Sequence, residues 1–168
     1  MIVPALIAAL TAAASSTSLA AASQTLTVYS VAEQQQYINN SDARRAGAGP
    51  NPFGNYNDVA PAAKNAKGPF PGDEALYSFN LYADAQLHKR AGAATYTCQY
   101  NFKGNAFCDV TFQLTKRGVL VASGAFNFNA TSFTLAVTGG YGSFANRLGS
   151  VQVTPTANHA QRVSFQLT

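Results

Sequence analysis

The sequence predicts an all-β protein whose strands close into an eight-stranded antiparallel β-barrel. Eight short runs of alternating apolar and polar residues are separated by turn-forming residues. No segment sustains an apolar period of 3.6 residues. In two successive hairpins the large apolar side chains collect on one face, which an antiparallel sheet must bury and which eight strands can bury by closing. Composition agrees with this reading. Of 168 residues, 11% are charged, against roughly 25% in ordinary soluble domains. The 13 Gly, 7 Pro, 8 Tyr and 11 Phe, with abundant Thr and Val, describe strands joined by tight turns. A coiled coil is excluded by the missing charged heptad positions, and so much Gly and Pro does not describe a multispan membrane protein.

Residues 1–22 stand apart from the rest. Ile2 to Leu10 is apolar, and Thr11 to Ala22 is almost entirely Ala, Ser and Thr. The apolar run is too short to span a bilayer as a helix. The small-residue stretch ending Leu19-Ala20-Ala21-Ala22 offers an A-x-A-like cleavage site, which predicts a secretory signal peptide, although no Lys or Arg stands near Met1. The alternative is an Ala-rich tail. The expectation is a secreted, extracellular protein without stable membrane insertion, its mature chain starting near Ser23.

The first strand is read at Gln24 to Val31. From Ala32 to Gly72 the chain is rich in Asn, Gly, Pro and Ala. A loop this long is expected to serve a function, and Tyr37, Phe53, Tyr56 and Phe70 suit an aromatic lid over an opening. Glu33 to Arg45 is the one stretch there where a helical turn fits. The second strand is Glu74 to Ala83, with Asp73, Tyr77, Phe79 and Leu81 on its apolar side.

The third and fourth strands, Ala93 to Phe102 and Ala106 to Thr115, flank Lys103-Gly104-Asn105. Pairing Asn101 with Asn105 across a three-residue loop sets Cys98 opposite Cys108, so a cross-strand disulfide is geometrically available. In an oxidising compartment it would contribute on the order of 3 kcal/mol; the alternative is a pair of buried thiols. In this register Tyr96, Cys98, Tyr100 and Phe102 share a face with Val110, Phe112 and Leu114.

The fifth and sixth strands, Val119 to Phe128 and Thr131 to Thr138, pair across an Asn129-Ala130 turn. Phe126 then opposes Phe133 and Gly124 opposes Leu135, while Val119 and Val121 fall off the common apolar face. Gly139 to Gly142 reads as a tight loop at the barrel rim. Ser150 to Thr156 and Gln161 to Leu167 complete the set, and residues 23–168 form a single domain.

Several function classes are excluded. The net charge is +4, yet Arg44/Arg45, Lys89/Arg90 and Lys116/Arg117 are separate doublets in turn-like sequence, whereas a phosphate-tracking protein needs a stripe. They read as solvated loop charges, and no nucleic-acid partner is expected. His88 and His159 have no partners at metal-ligand spacing, so no metal is expected. There is no nucleophile elbow. Gly139-Gly140-Tyr141-Gly142 is followed by a strand instead of a helix, which argues against a phosphate cradle, and no cofactor is expected.

Three pieces of sequence carry a family likeness: Gly72-Asp73 followed by Leu81-Tyr82; Lys89-Arg90, Gly92 and Cys98; and Leu135-Ala-Val-Thr-Gly-Gly-Tyr-Gly-Ser-Phe144 with Gly149 behind it. With them, the stretch from Gly72 to Leu167 resembles the allene oxide cyclase family and, more distantly, the dirigent proteins that share its barrel. The resemblance implies an antiparallel barrel, usually a homotrimer, with an apolar cavity open at one end. Plant members of that family direct ring closure of an unstable fatty-acid epoxide, and dirigent members orient radical pairs made by another enzyme. The departures are informative. Ser30 stands where the plant cyclases carry their key Glu, Ala32 and Phe79 where they carry water-binding Asn residues, and Phe126 where they carry a cavity Tyr. Phe and Ala cannot stabilise a developing charge, so plant cyclase chemistry is not expected.

Two functions of different class follow. One is a small-molecule barrel that binds an apolar molecule and steers its cyclisation or coupling, as a cofactor-free isomerase or cyclase where it is an enzyme at all. Tyr77, Phe79, Tyr96, Tyr100, Phe112 and Phe126 would line it, with Asp73 and Arg147 at the rim to bind or protonate a polar end of the ligand. The other is a non-catalytic exported binding or structural protein whose barrel is filled by its own side chains.

Overall fold

A computed structural model describes residues 23–40 and 67–168. The expected signal peptide, and Phe53, Tyr56, Arg44 and Arg45, lie outside the described residues. The elements are β1 (Gln24–Ile38), β2 (Glu74–Tyr82), β3 (Arg90–Tyr100), a 3-10 turn (Phe102–Gly104), β4 (Asn105–Leu114), β5 (Gly118–Asn127), β6 (Phe133–Gly142), β7 (Gly149–Pro155) and β8 (Ala160–Leu167). Each strand pairs antiparallel with the next, and β8 pairs back onto β1 from Gln24↔Leu167 to Val31↔Ala160. The predicted eight-stranded antiparallel barrel is the fold.

The β3–β4 hairpin has the expected register. The Asn101 amide donates to the Asn105 carbonyl at 2.8 Å, and Cys98 faces Cys108. Counting three pairs from Asn101–Asn105 makes the cysteines a non-hydrogen-bonded pair, the close kind. Their Cα atoms are 4.1 Å apart and they form the disulfide. The inward face holds Tyr96, Cys98, Tyr100, Val110, Phe112 and Leu114, all buried. Phe102 is a correction: β3 ends at Tyr100, and the 3-10 turn leaves Phe102 59% exposed.

Three expectations about the strands are corrected. First, β1 does not stop at Val31, and Glu33 forms no helical turn. A bulge between Ala32 and Gln34 lets pairing with β2 continue from Gln34↔Ser78 to Ile38↔Glu74. The run Glu33-Gln34-Gln35-Gln36 is polar on both faces, so it shows no alternation; pairing with β2 makes it strand. The bulge also shifts the parity by one, which puts Tyr37 beside inward Ala75.

Second, Gly139 to Gly142 is part of β6 and not a rim loop. A second bulge, between Val121 and Ala122, pairs Val121 with Gly139 and Ala122 with Val137. Third, Val119 is buried although it keeps the same face of β5 as Val121, since the extra residue of that bulge, Thr138, lies in β6 and leaves the β4–β5 register unbroken; Val121 itself is 37% exposed. Glycine at 140 follows from close approach: a Cβ there would run into the carbonyl oxygens of Val119 and, at 3.0 Å, Phe144.

Because neighbouring strands alternate in direction, the C-termini of β1, β3, β5 and β7 gather at one barrel end and those of the others at the opposite end. Phe112, Leu120, Leu135, Val151, Val163 and Phe165 fill the middle and are fully buried. At the end where β6 runs into β7, Phe144 is fully buried with the Arg117 guanidinium 4.8 Å above its ring. This is a cation–π contact, and it covers the Phe144 ring at that end.

Candidate functional site

The opposite end is built differently. Inward positions of β2, β3, β5 and β6 place a connected set of aromatic rings there. Phe126 stacks on Phe133 at 4.1 Å and 7° and lies 6.1 Å from Phe128 at 13°. Phe128 meets Tyr100 at 4.7 Å and Tyr77 at 6.1 Å, and Tyr77 meets Phe79 at 6.3 Å. Phe79 touches Tyr96 at 5.0 Å; from there the rings descend through Phe112, at 5.9 Å, to Phe165, at 4.9 Å. Depth divides this chain of rings. Tyr77, Phe79, Phe126, Phe128 and Phe133 are only half-buried, whereas Tyr96, Tyr100, Phe112 and Phe165 are buried.

A polar cluster sits at the rim of the same end. Asp73 precedes β2 and is fully buried. Its backbone is tied to Tyr100, whose amide donates to the Asp73 carbonyl at 2.8 Å, and Gly72 donates to the Tyr100 carbonyl at 2.8 Å. Asp73 Oδ2 accepts the Phe70 amide at 2.8 Å and the Tyr37 hydroxyl. Burial and then the hydrogen bond to Asp73 push the Tyr37 phenol up to about 12. The ring of Tyr37 is 44% exposed, but its hydroxyl turns onto Asp73. Tyr77 donates to the Tyr100 hydroxyl; burial first, and that bond second, raise the Tyr77 phenol. Burial raises Tyr100 as well, against the lowering effect of the bond it accepts.

Deeper in, the Tyr96 hydroxyl is buried without a hydrogen-bond partner, and burial alone raises its pKa. Ser30 is buried and donates to Gln161 Oε1 at 3.2 Å. At ordinary pH the phenols are therefore neutral. The site offers apolar rings and uncharged donors, which suits holding and orienting a molecule better than attacking one.

Five of the six expected lining residues, Tyr77, Phe79, Tyr96, Tyr100 and Phe126, are brought together at this end. Phe112 lies beneath them as part of the packed middle. Asp73 and Arg147 are not brought together. Arg147 lies in the β6–β7 connection, its amide donating to the Phe144 carbonyl at 3.1 Å, at the end of the barrel away from Asp73. The chain alternates direction at every strand, so the segment leading into β2 and the β6–β7 connection lie a barrel length apart. Phe128 and Phe133 join this candidate site beyond the expected lining, and Tyr37, expected in an aromatic lid, stands at its rim. The Phe126–Phe133 pairing carried the signal for the first two, while Tyr37 needed the β1 bulge.

The chain matches no family model and no curated protein. Among solved structures it is similar to a pyocyanin demethylase, at 21% identity and TM-score 0.63, over 86% of this chain and 100% of that one. It is also similar to a pterocarpan synthase dirigent protein, at 16% identity and TM-score 0.54, over 88% and 94%. A third likeness is to the Diels Alderase AbmU from Streptomyces koyangensis, at 13% identity and TM-score 0.52, over 87% and 63%. These likenesses establish the fold as the barrel type of the dirigent proteins and cyclases, the type to which the Leu135 to Phe144 stretch pointed.

Proposed function

We propose that this protein is an exported barrel that binds a small apolar, ring-bearing molecule at its aromatic end and holds it in a conformation that favours cyclisation or coupling. The observation that carries the reading is the half-buried shell of Tyr77, Phe79, Phe126, Phe128 and Phe133 at one barrel end. Full burial of a large apolar side chain is worth about 1.5–3 kcal/mol, and these rings forgo part of it. A flat apolar ligand laid against them recovers that burial. The near-parallel Phe126, Phe128 and Phe133 rings present faces suited to stacking. Steering by orientation alone needs no charged catalytic group, and a Diels Alderase and a dirigent protein share the fold. The Cys98–Cys108 disulfide supports export, since such bonds persist in oxidising compartments.

A second reading, a structural barrel filled by its own side chains, is favoured by the packing of Phe112 against Phe165 in the middle layer. Titration with anthracene, followed by its own fluorescence, separates the two. Saturable binding of one molecule per barrel, weakened in Phe126→Ala, is expected. Absence of binding, together with no ligand co-purifying in native mass spectrometry, would favour the structural barrel.

A further inference from the structure

We infer that the molecule bound at the aromatic end carries a hydrogen-bond acceptor, and that the Tyr96 hydroxyl is the donor that selects it. This rests on the ligand-binding reading above and narrows it to a class: an apolar ring system bearing a carbonyl, an ether oxygen or an aromatic nitrogen.

Tyr96 is 5% exposed, and its hydroxyl is buried with no partner. Leaving a buried hydroxyl unpaired costs about 1–3 kcal/mol, so phenylalanine would make the more stable empty barrel. The neighbouring phenols do not share this condition, because Tyr37 donates to Asp73 and Tyr77 to Tyr100. Two other buried side-chain atoms among the described residues lack partners, Ser78 Oγ and Asn80 Oδ1. Both alternate with inward Tyr77, Phe79 and Leu81 on β2 and so belong to its outward face.

The position of Tyr96 fits a ligand-reading role. Its ring touches half-buried Phe79 on one side and fully buried Phe112 on the other, and its backbone pairs with Tyr77 of the half-buried shell. A molecule lying against the half-buried rings of Tyr77 and Phe79 therefore reaches Tyr96 before the packed middle. The hydroxyl remains a neutral phenol, a donor suited to an uncharged acceptor. Phenylalanine walls disfavour bringing a carboxylate to it, because its desolvation would go uncompensated.

The test compares anthracene with acridine, which has the same three-ring outline with one ring nitrogen as acceptor. Binding is measured at pH 8, where acridine is uncharged, on wild type and on Tyr96→Phe. Wild type should bind acridine at least tenfold more tightly than anthracene. Tyr96→Phe should erase that preference by weakening acridine far more than anthracene, and should raise the melting temperature of the empty protein. The inference is overturned if Tyr96→Phe keeps the preference, if it weakens both probes equally as a packing defect would, or if it melts lower than wild type. Failure of wild type to bind either probe overturns the ligand-binding reading itself and this inference with it, whereas equal binding of both probes by wild type overturns only the inference.

Discussion

The Tyr37 hydroxyl donates to Asp73 Oδ2 and so joins the last part of β1 to the residue that opens β2. Two features make the contact possible. The bulge between Ala32 and Gln34 turns Tyr37 inward, and glycine at position 68 leaves room, since a Cβ there would collide with the Tyr37 hydroxyl. The pair fixes the rim on which the aromatic shell stands.

Tyr37→Phe should lower stability by about 1–2 kcal/mol, below the upper range for bonds to charged groups because the half-exposed ring lets water replace the donor. The effect depends on pH. The folded-state pKa is about 12, above the ordinary 10, so the contribution is complete below pH 10 and is lost as pH rises through 12. Denaturant melts of both proteins from pH 8 to 12 should show the difference shrinking across that window. A difference that grows with pH would contradict the assignment.

Both cysteines are buried, so the Cys98–Cys108 bridge should resist dithiothreitol in the native protein and be reduced only under unfolding conditions. Replacing both by alanine should cost about 2–3 kcal/mol through the short loop released in the unfolded chain. The check is the urea midpoint together with mass spectrometry of alkylated thiols. Rapid reduction of the native protein would show the bridge to be accessible.

Phe126→Trp and Phe112→Trp should behave differently. Phe126 is half-buried at the mouth and can displace outward, so the larger ring should change stability by less than about 1 kcal/mol while altering anthracene binding. Phe112 is fully buried between Tyr96 and Phe165, where overpacking costs about 1–3 kcal/mol. Equal costs at the two positions would mean that the mouth is packed as tightly as the core.

Adjacent glycines give the sharpest contrast. Gly140→Ala drives a methyl into the backbone of Val119 and Phe144 and should cost more than about 2 kcal/mol. Gly139 has nothing within 4 Å of such a methyl, so Gly139→Ala should be neutral or stabilise by up to about 1 kcal/mol. Thermal melts of the two variants decide it, and a tolerated Gly140→Ala would contradict the bulged geometry of β6.

Much of this protein was determined by the sequence alone. Alternation in the β3–β4 hairpin, together with the turn at Lys103-Gly104-Asn105, set the register that pairs Cys98 with Cys108, because a side-chain period of two leaves no freedom once one face must be buried. The same parity put Tyr77, Phe79, Tyr96 and Tyr100 on the inside. Tertiary structure decided what local pattern does not encode. The two bulges exist because β1 and β6 follow partner strands of fixed register, and the one in β1 turns Tyr37 inward. Closure and the alternating strand directions put Asp73 and Arg147 at opposite ends of the barrel, although one rim was expected to hold both. Alternation reports which face a side chain takes, whereas its depth along the barrel axis depends on pairings between strands distant in sequence. That depth separates the open shell around Phe126 from the packed layer at Phe112 and leaves the Tyr96 hydroxyl unpaired between them.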